Sequence, residues 1–165
     1  MKLSPRTLSL PTGQITIHGG NSFGEIDHRS AIITSVADLE IDLAEMLAKR
    51  LRVINAAVDI DSAKLDLFIN GPVSSLKKMA DLAFYLGTVG QKTRHDLRKY
   101  SNLRDRYAHD RNRLQLQDDS EMFKLLKDTY TYRENKDLLV SENPQAVMYR
   151  VYQNLKEIIA SGRVE

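Results

Sequence analysis

Arg104, Asp105 and His109 close a basic stretch that reads Asn102-Leu103-Arg104-Asp105-Arg106-Tyr107-Ala108-His109. A guanidinium binds phosphate oxygens in bidentate fashion, and an imidazole exchanges a proton near neutral pH. RNA cleavage through the 2'-hydroxyl needs only those two services, because the substrate carries its own nucleophile and neither a metal nor a cofactor is required. Helix geometry limits the idea. At about 100° per residue, Arg104 and His109 point roughly 140° apart on an unbroken helix. They meet only if the helix ends near Ala108, or if two subunits bring the same helix to a shared cleft. Arg106, three residues before His109, is the simpler neighbour within one chain. The structural alternative pairs Arg104 with a carboxylate such as Glu40 and leaves His109 at the helix C-terminus, where a cation is favoured.

Charge supports a local footprint and no global one. The whole chain carries a formal +2, yet between Gln91 and Arg113 eight basic residues stand against Asp96, Asp105 and Asp110. Arg98, Arg106, Arg111 and Arg113 are therefore the candidate nucleic-acid contacts, whether to RNA or DNA, and a solvated face is the plainer reading of the same run. The absence of cysteine removes disulfide frameworks, thiolate metal sites and thiol nucleophiles. His18 and His28 are each solitary, so no metal site is expected. No stretch approaches the ~20 apolar residues of a membrane span and Met1 to Ser9 lacks a signal-peptide core, so a cytoplasmic protein is expected.

The elements that must position these groups read as all-α, a compact bundle of about five helices in one domain over residues 23–165. Residues 1–22 form a separate N-terminal arm. In that arm Leu8, Leu10, Ile15 and Ile17 alternate around Pro11-Thr12-Gly13, as in a short β-hairpin or a frayed tail. From about Glu25 to Leu51, Ile33, Val36, Leu39 or Glu40, Leu43, Leu47 and Leu51 recur at helical steps. A shorter connecting helix with Val58, Ile60, Leu65, Leu67 and Phe68 is expected over 53–70. Asn70-Gly71-Pro72 then opens a core helix through Leu76, Met79, Ala80, Ala83 and Phe84 to a stop at Gly87, with proline in its first turn. Thr93 and Asp96 have capping-box spacing at the start of the basic helix, whose inward stripe is Leu97, Tyr100, Leu103 or Arg104, and Tyr107. Asp118 or Asp119 caps a helix carrying Met122, Phe123 and Leu126. Asn143-Pro144 opens the last helix, which runs through Met148, Tyr152, Leu155 and Ile159 to Gly162.

The segment from Arg104 to His109 resembles the signature of the HEPN superfamily: arginine, a polar residue, a short spacer, and histidine at a helix end. Residues 25–126, with Leu39-Glu40, Leu43 and the Gly71-Pro72 helix, are also similar to the mannitol operon repressor family of helical transcriptional regulators. The first resemblance implies a metal-independent endoribonuclease of toxin or defence type. There Arg104 would bind the scissile phosphate, Asp105 would position it, and His109 would act as general acid or base in a homodimer whose two motifs face each other. Asp105 stands where asparagine is frequent in that motif. The second resemblance implies a non-enzymatic regulator acting through a protein partner or DNA, although no helix-turn-helix pattern is evident.

Overall fold

The computed structural model describes residues 28–109, 121–140 and 142–162. The expected N-terminal arm, together with Arg111, Arg113 and the cap at Asp118 or Asp119, lies outside the described residues. Within them the protein is all-α, with no strand.

Helix α1 runs His28–Ile54 and is followed by a turn, the short helix α2 (Ile60–Ala63) and a π-helical turn, Lys64–Ile69. Helix α3 spans Leu76–Tyr85, α4 Gln91–His109, α5 Glu121–Lys127, α6 Tyr130–Glu134, α7 Lys136–Leu139 and α8 Pro144–Ser161. Among the described residues eight α-helices thus stand where about five were expected, because the segment from Glu121 to Leu139 is cut into short pieces. No described helix is long and apolar enough to cross a membrane.

Apolar periodicity explains the long elements. Ile32, Val36, Leu39, Leu43 and Leu47 are wholly buried on α1 and face Leu76, Met79, Ala80 and Ala83 on α3. Ile33, expected inside, is exposed instead, because the four-residue step back from Val36 selects Ile32. Leu97, Tyr100, Leu103 and Tyr107 form the inward stripe of α4, and Met122, Phe123 and Leu126 that of α5. Helix α4 packs on α1, α3, α5, α6 and α8 and so lies at the centre of the bundle.

The expected connecting helix at 53–70 is replaced by a turn, a four-residue helix and the π turn. Asn70 donates its N–H to the Leu65 carbonyl, a five-residue step that turns Phe68 inward and leaves Leu65, Leu67 and Ile69 exposed. A Cβ at Gly71 would meet the Asp66 carbonyl oxygen at 1.9 Å, so only glycine closes this turn. Pro72 precedes α3 and does not enter its first turn; Ser75, in extended conformation, is the N-cap. The stop of α3 at Gly87, with φ +66°, and the frame of α8 fall where expected. On α8 the Asn143 side chain accepts from the Ala146 N–H, Pro144 takes the first position, and Gly162 ends the helix at φ +60°.

The capping box at Thr93 and Asp96 does not form. Helix α4 starts three residues early, with the Arg94 N–H donating to the Gly90 carbonyl, so Thr93 lies inside the first turn and its buried hydroxyl has no hydrogen-bond partner among the described residues. Asp96, 2% exposed, accepts instead from the N–H groups of Tyr130 and Thr131 and from the Thr131 hydroxyl, at 2.7, 2.9 and 2.7 Å. It thereby caps α6 from a distance of 34 residues in sequence. Burial pushes its carboxyl above the ordinary 3.8, against the pull of those hydrogen bonds. A raised carboxyl contributes most below its unfolded value and loses that contribution as pH climbs through its folded value. Asp96→Ala is expected to cost about 3 kcal/mol by urea denaturation, since buried donors lose their acceptor. Asp96→Asn should gain on the parent protein as pH rises from 3.8; a pH-independent difference between the two would contradict this assignment.

Candidate functional site on helix α4

The first four turns of α4 carry the basic residues singled out in the sequence, and each of them meets a carboxylate. On α3, Asp81 accepts from Arg94 Nε at 2.7 Å and from Arg98 Nη1 at 2.5 Å, so one carboxylate holds two guanidiniums one turn apart. Burial alone would push the Asp81 carboxyl up, but the hydrogen bonds and charges of Arg94 and Arg98 outweigh it and hold the group below its usual range. Arg94 also lies over the rings of Phe84 and Tyr85, 4.8 and 5.5 Å from their centroids. Lys92 pairs with Glu134 on α6. Lys99 and Arg133 both pair with Asp128, whose carboxyl the Lys99 ammonium draws down. His95, which the sequence did not mark, places Nε2 3.0 Å from the backbone carbonyl of Asp128.

Arg104 is bound into a chain of alternating charge. Its Nη2 lies 3.6 Å from Oε1 of Glu40 on α1, and the same oxygen accepts the Leu76 N–H at 3.0 Å. Glu40 therefore serves the first turn of α3 and the guanidinium of α4 together. Arg104 Nε is 3.1 Å from Oδ1 of Asp105 but off the line of its N–H, so it makes an ion pair and no hydrogen bond. The other carboxylate oxygen of Asp105 accepts from Lys77 Nζ at 2.7 Å. All four side chains are half-buried, at 24 to 37% exposure. The ion pair from Arg104 to Glu40, the structural alternative in the sequence, is thus present.

Helix α4 runs unbroken through Ala108 to His109, so the bend that would let Arg104 and His109 converge within one chain is absent. His109 is exposed, and so is Arg106 one turn before it, and the two are neighbours on one face. The Ala108 carbonyl accepts from Arg29 of α1 at 3.5 Å, which sets the end of α4 beside the start of α1. The described sequence candidates thus divide into three groups: Arg104 and Asp105 in the ion chain, Arg98 on Asp81, and Arg106 with His109 exposed.

A groove of about 380 Å³ lies elsewhere, between α1 and α8, where Ser35, Asp38, Tyr100, Tyr149 and Tyr152 line it. The Tyr100 hydroxyl is 2.9 Å from Ser35 Oγ, and burial raises the tyrosine well above its ordinary value. Tyr152 donates to Asp38 at 3.1 Å. None of the described sequence candidates lines this groove, and no spacing in the sequence announces it, since its walls come from segments over a hundred residues apart. Among the described residues no three histidines or carboxylates are grouped to hold a metal.

Comparison of the chain with protein families, with curated proteins and with solved structures gives no significant match.

The ion chain makes stability the direct readout of Arg104. Glu40→Ala is expected to cost about 1–2 kcal/mol, since α3 loses an acceptor at its first turn. A double-mutant cycle with Arg104→Ala should return a favourable coupling of about 0.5–1 kcal/mol, while His109→Ala leaves the urea midpoint where it is. Strict additivity of Glu40→Ala and Arg104→Ala would refute the pairing.

Proposed function

We propose that this chain is a non-enzymatic regulator of the mannitol operon repressor type that acts through a protein partner, with α4 as its internal scaffold. One observation carries the reading: Lys92, Arg94, Arg98, Lys99 and Arg104 are all answered by carboxylates of the same chain. A phosphodiester approaching this face would have to displace Asp81, Asp128 or Glu40 before any of those guanidiniums or ammoniums could serve it. Their field is neutralised where nucleic-acid binding requires a net positive surface.

The HEPN-type reading, a metal-independent endoribonuclease, keeps support from one feature. Arg106 and His109 are both exposed and one turn apart, so the phosphate-binding role would pass from Arg104 to Arg106. Arg104 and Asp105 would then act by holding the helix.

Purified protein incubated with RNA in EDTA separates the two readings. The regulator reading expects RNA to stay intact with the parent protein, Arg106→Ala and His109→Ala alike, and expects Arg98→Ala to leave any low-salt binding to RNA or DNA unchanged. Cleavage by the parent protein that disappears in both Arg106→Ala and His109→Ala overturns it in favour of the nuclease.

A further inference from the structure

We infer that the groove between α1 and α8 binds a small primary ammonium with an apolar body, of the arylalkylamine class. The inference stands apart from the choice between regulator and nuclease, because none of Arg98, Arg104, Arg106 and His109 lines the groove. Its walls follow from helix spacing. Ala31, Thr34, Ser35 and Asp38 fall on one face of α1 and meet Tyr149 and Tyr152 of α8, with the buried Tyr100 of α4 also in the lining. Small side chains at Ala31 and Ser35 thus oppose large ones on α8, which leaves about 380 Å³ unfilled. Ligand sites begin at roughly 300 Å³, so the space is of the size that takes a small molecule.

Hydrogen-bond polarity selects the ligand. Ser35 gives its only hydroxyl proton to the Ile32 carbonyl at 3.0 Å, so in its 2.9 Å contact with the Tyr100 hydroxyl it can only accept. Tyr100 is the donor there, and burial, which raises its hydroxyl above the ordinary value, keeps that proton in place. Tyr152 donates its own proton to Oδ2 of Asp38 at 3.1 Å. The backbone N–H groups from Thr34 to Asp38 and from Met148 to Tyr152 lie inside their helices. Ser30 and Thr34 add hydroxyls only on the exposed rim. The inner lining therefore offers acceptors alone: the oxygens of Ser35, Tyr100 and Tyr152, and Oδ1 of Asp38, which has no hydrogen-bond partner among the described residues. A ligand must bring the donors, and a primary ammonium brings three.

Charge agrees with this polarity. Asp38 is the one carboxylate in the lining, no lysine, arginine or histidine joins it there, and it forms no ion pair among the described residues. Lys156, one turn beyond Tyr152, pairs with Asp42 at 3.3 Å and lies 5.6 Å from the centre of the Tyr152 ring, outside the lining. Arg29, beside the rim, donates to the Ala108 carbonyl. With Lys156 and Asp42 answering each other, Asp38 leaves the groove negative. The rings of Tyr149 and Tyr152, 6.4 Å apart and inclined at 50°, add the faces to which a cation is drawn. An anion would meet a carboxylate and lone pairs.

Titration calorimetry of the intact chain with phenethylamine is the test, with its N-trimethyl derivative and phenylacetate as companions. The primary amine is expected to bind as a single equivalent. The trimethylated cation, which has no N–H to donate, should bind at least about threefold more weakly, and the anion should give no heat. Asp38→Asn should raise the Kd of the amine at least about tenfold, and Tyr149→Ala about threefold. Ala31→Leu fills the space and should block the amine. All three variants should keep the parent's circular dichroism spectrum, and His109→Ala should leave the Kd where it is. Absence of binding at millimolar amine overturns the proposal, as does an Asp38→Asn variant that binds as tightly as the parent, or phenylacetate that binds as well as the amine. A Kd that climbs with protein concentration gives the groove to a second copy of the chain and overturns it too. If the amine binds and RNA is nevertheless cut, the site stands and the non-enzymatic reading falls.

Discussion

The amides that open a helix have no partner within it, and the way this chain satisfies them governs the rest of its architecture. Two of the acceptors are borrowed from other helices. Glu40 of α1 takes the Leu76 amide of α3, and Asp96 of α4 takes the Tyr130 and Thr131 amides of α6. A local cap fixes only where a helix begins. A carboxylate reaching across the bundle also fixes where that helix lies relative to another. Both donors of acceptors are long helices, so the short elements are hung from the long ones by charged groups as well as by packing.

The same economy explains why the basic helix does not present itself as a binding face. Helix α4 touches five neighbours, and its cations are the means of contact: Arg94 and Arg98 on Asp81, Lys99 on Asp128, Arg104 on Glu40. Single ion pairs at this exposure contribute little to stability. Their joint effect is on orientation and on the field outside the helix, where each positive group is cancelled at short range. Local charge excess in a sequence is therefore a poor guide to external potential when neighbouring helices supply the counter-charges.

Much of the bundle was legible because its signals are local. Asn143-Pro144 and Gly162 frame α8, Gly87 stops α3, and three- and four-residue steps pick out the buried stripes of α4 and α5. What escaped was decided by groups distant in sequence. Thr93 and Asp96 have the spacing of a local cap, yet Asp96 is drawn to α6 and Thr93 is left inside the turn. The π turn cannot be read from Lys64 to Ile69 alone, since its extra residue is absorbed by the close approach at Gly71. At the candidate site the pairing of Arg104 with Glu40 was one of two readings the sequence allowed. Without knowing which face of α1 meets α4, nothing in the residues decides between an arginine waiting for phosphate and one already engaged.

Helix α8 closes the core against α1, with Tyr152 reaching Asp38 across 114 residues and Lys156 lying 3.3 Å from Asp42. Until the ribosome has released α8, the apolar stripe of α1 lacks one of its walls. The emerging polypeptide must hold Ile32, Val36 and Leu39 only partly covered while the helices between α1 and α8 are made. The order of synthesis thus exposes α1 well before it supplies the wall that shelters it.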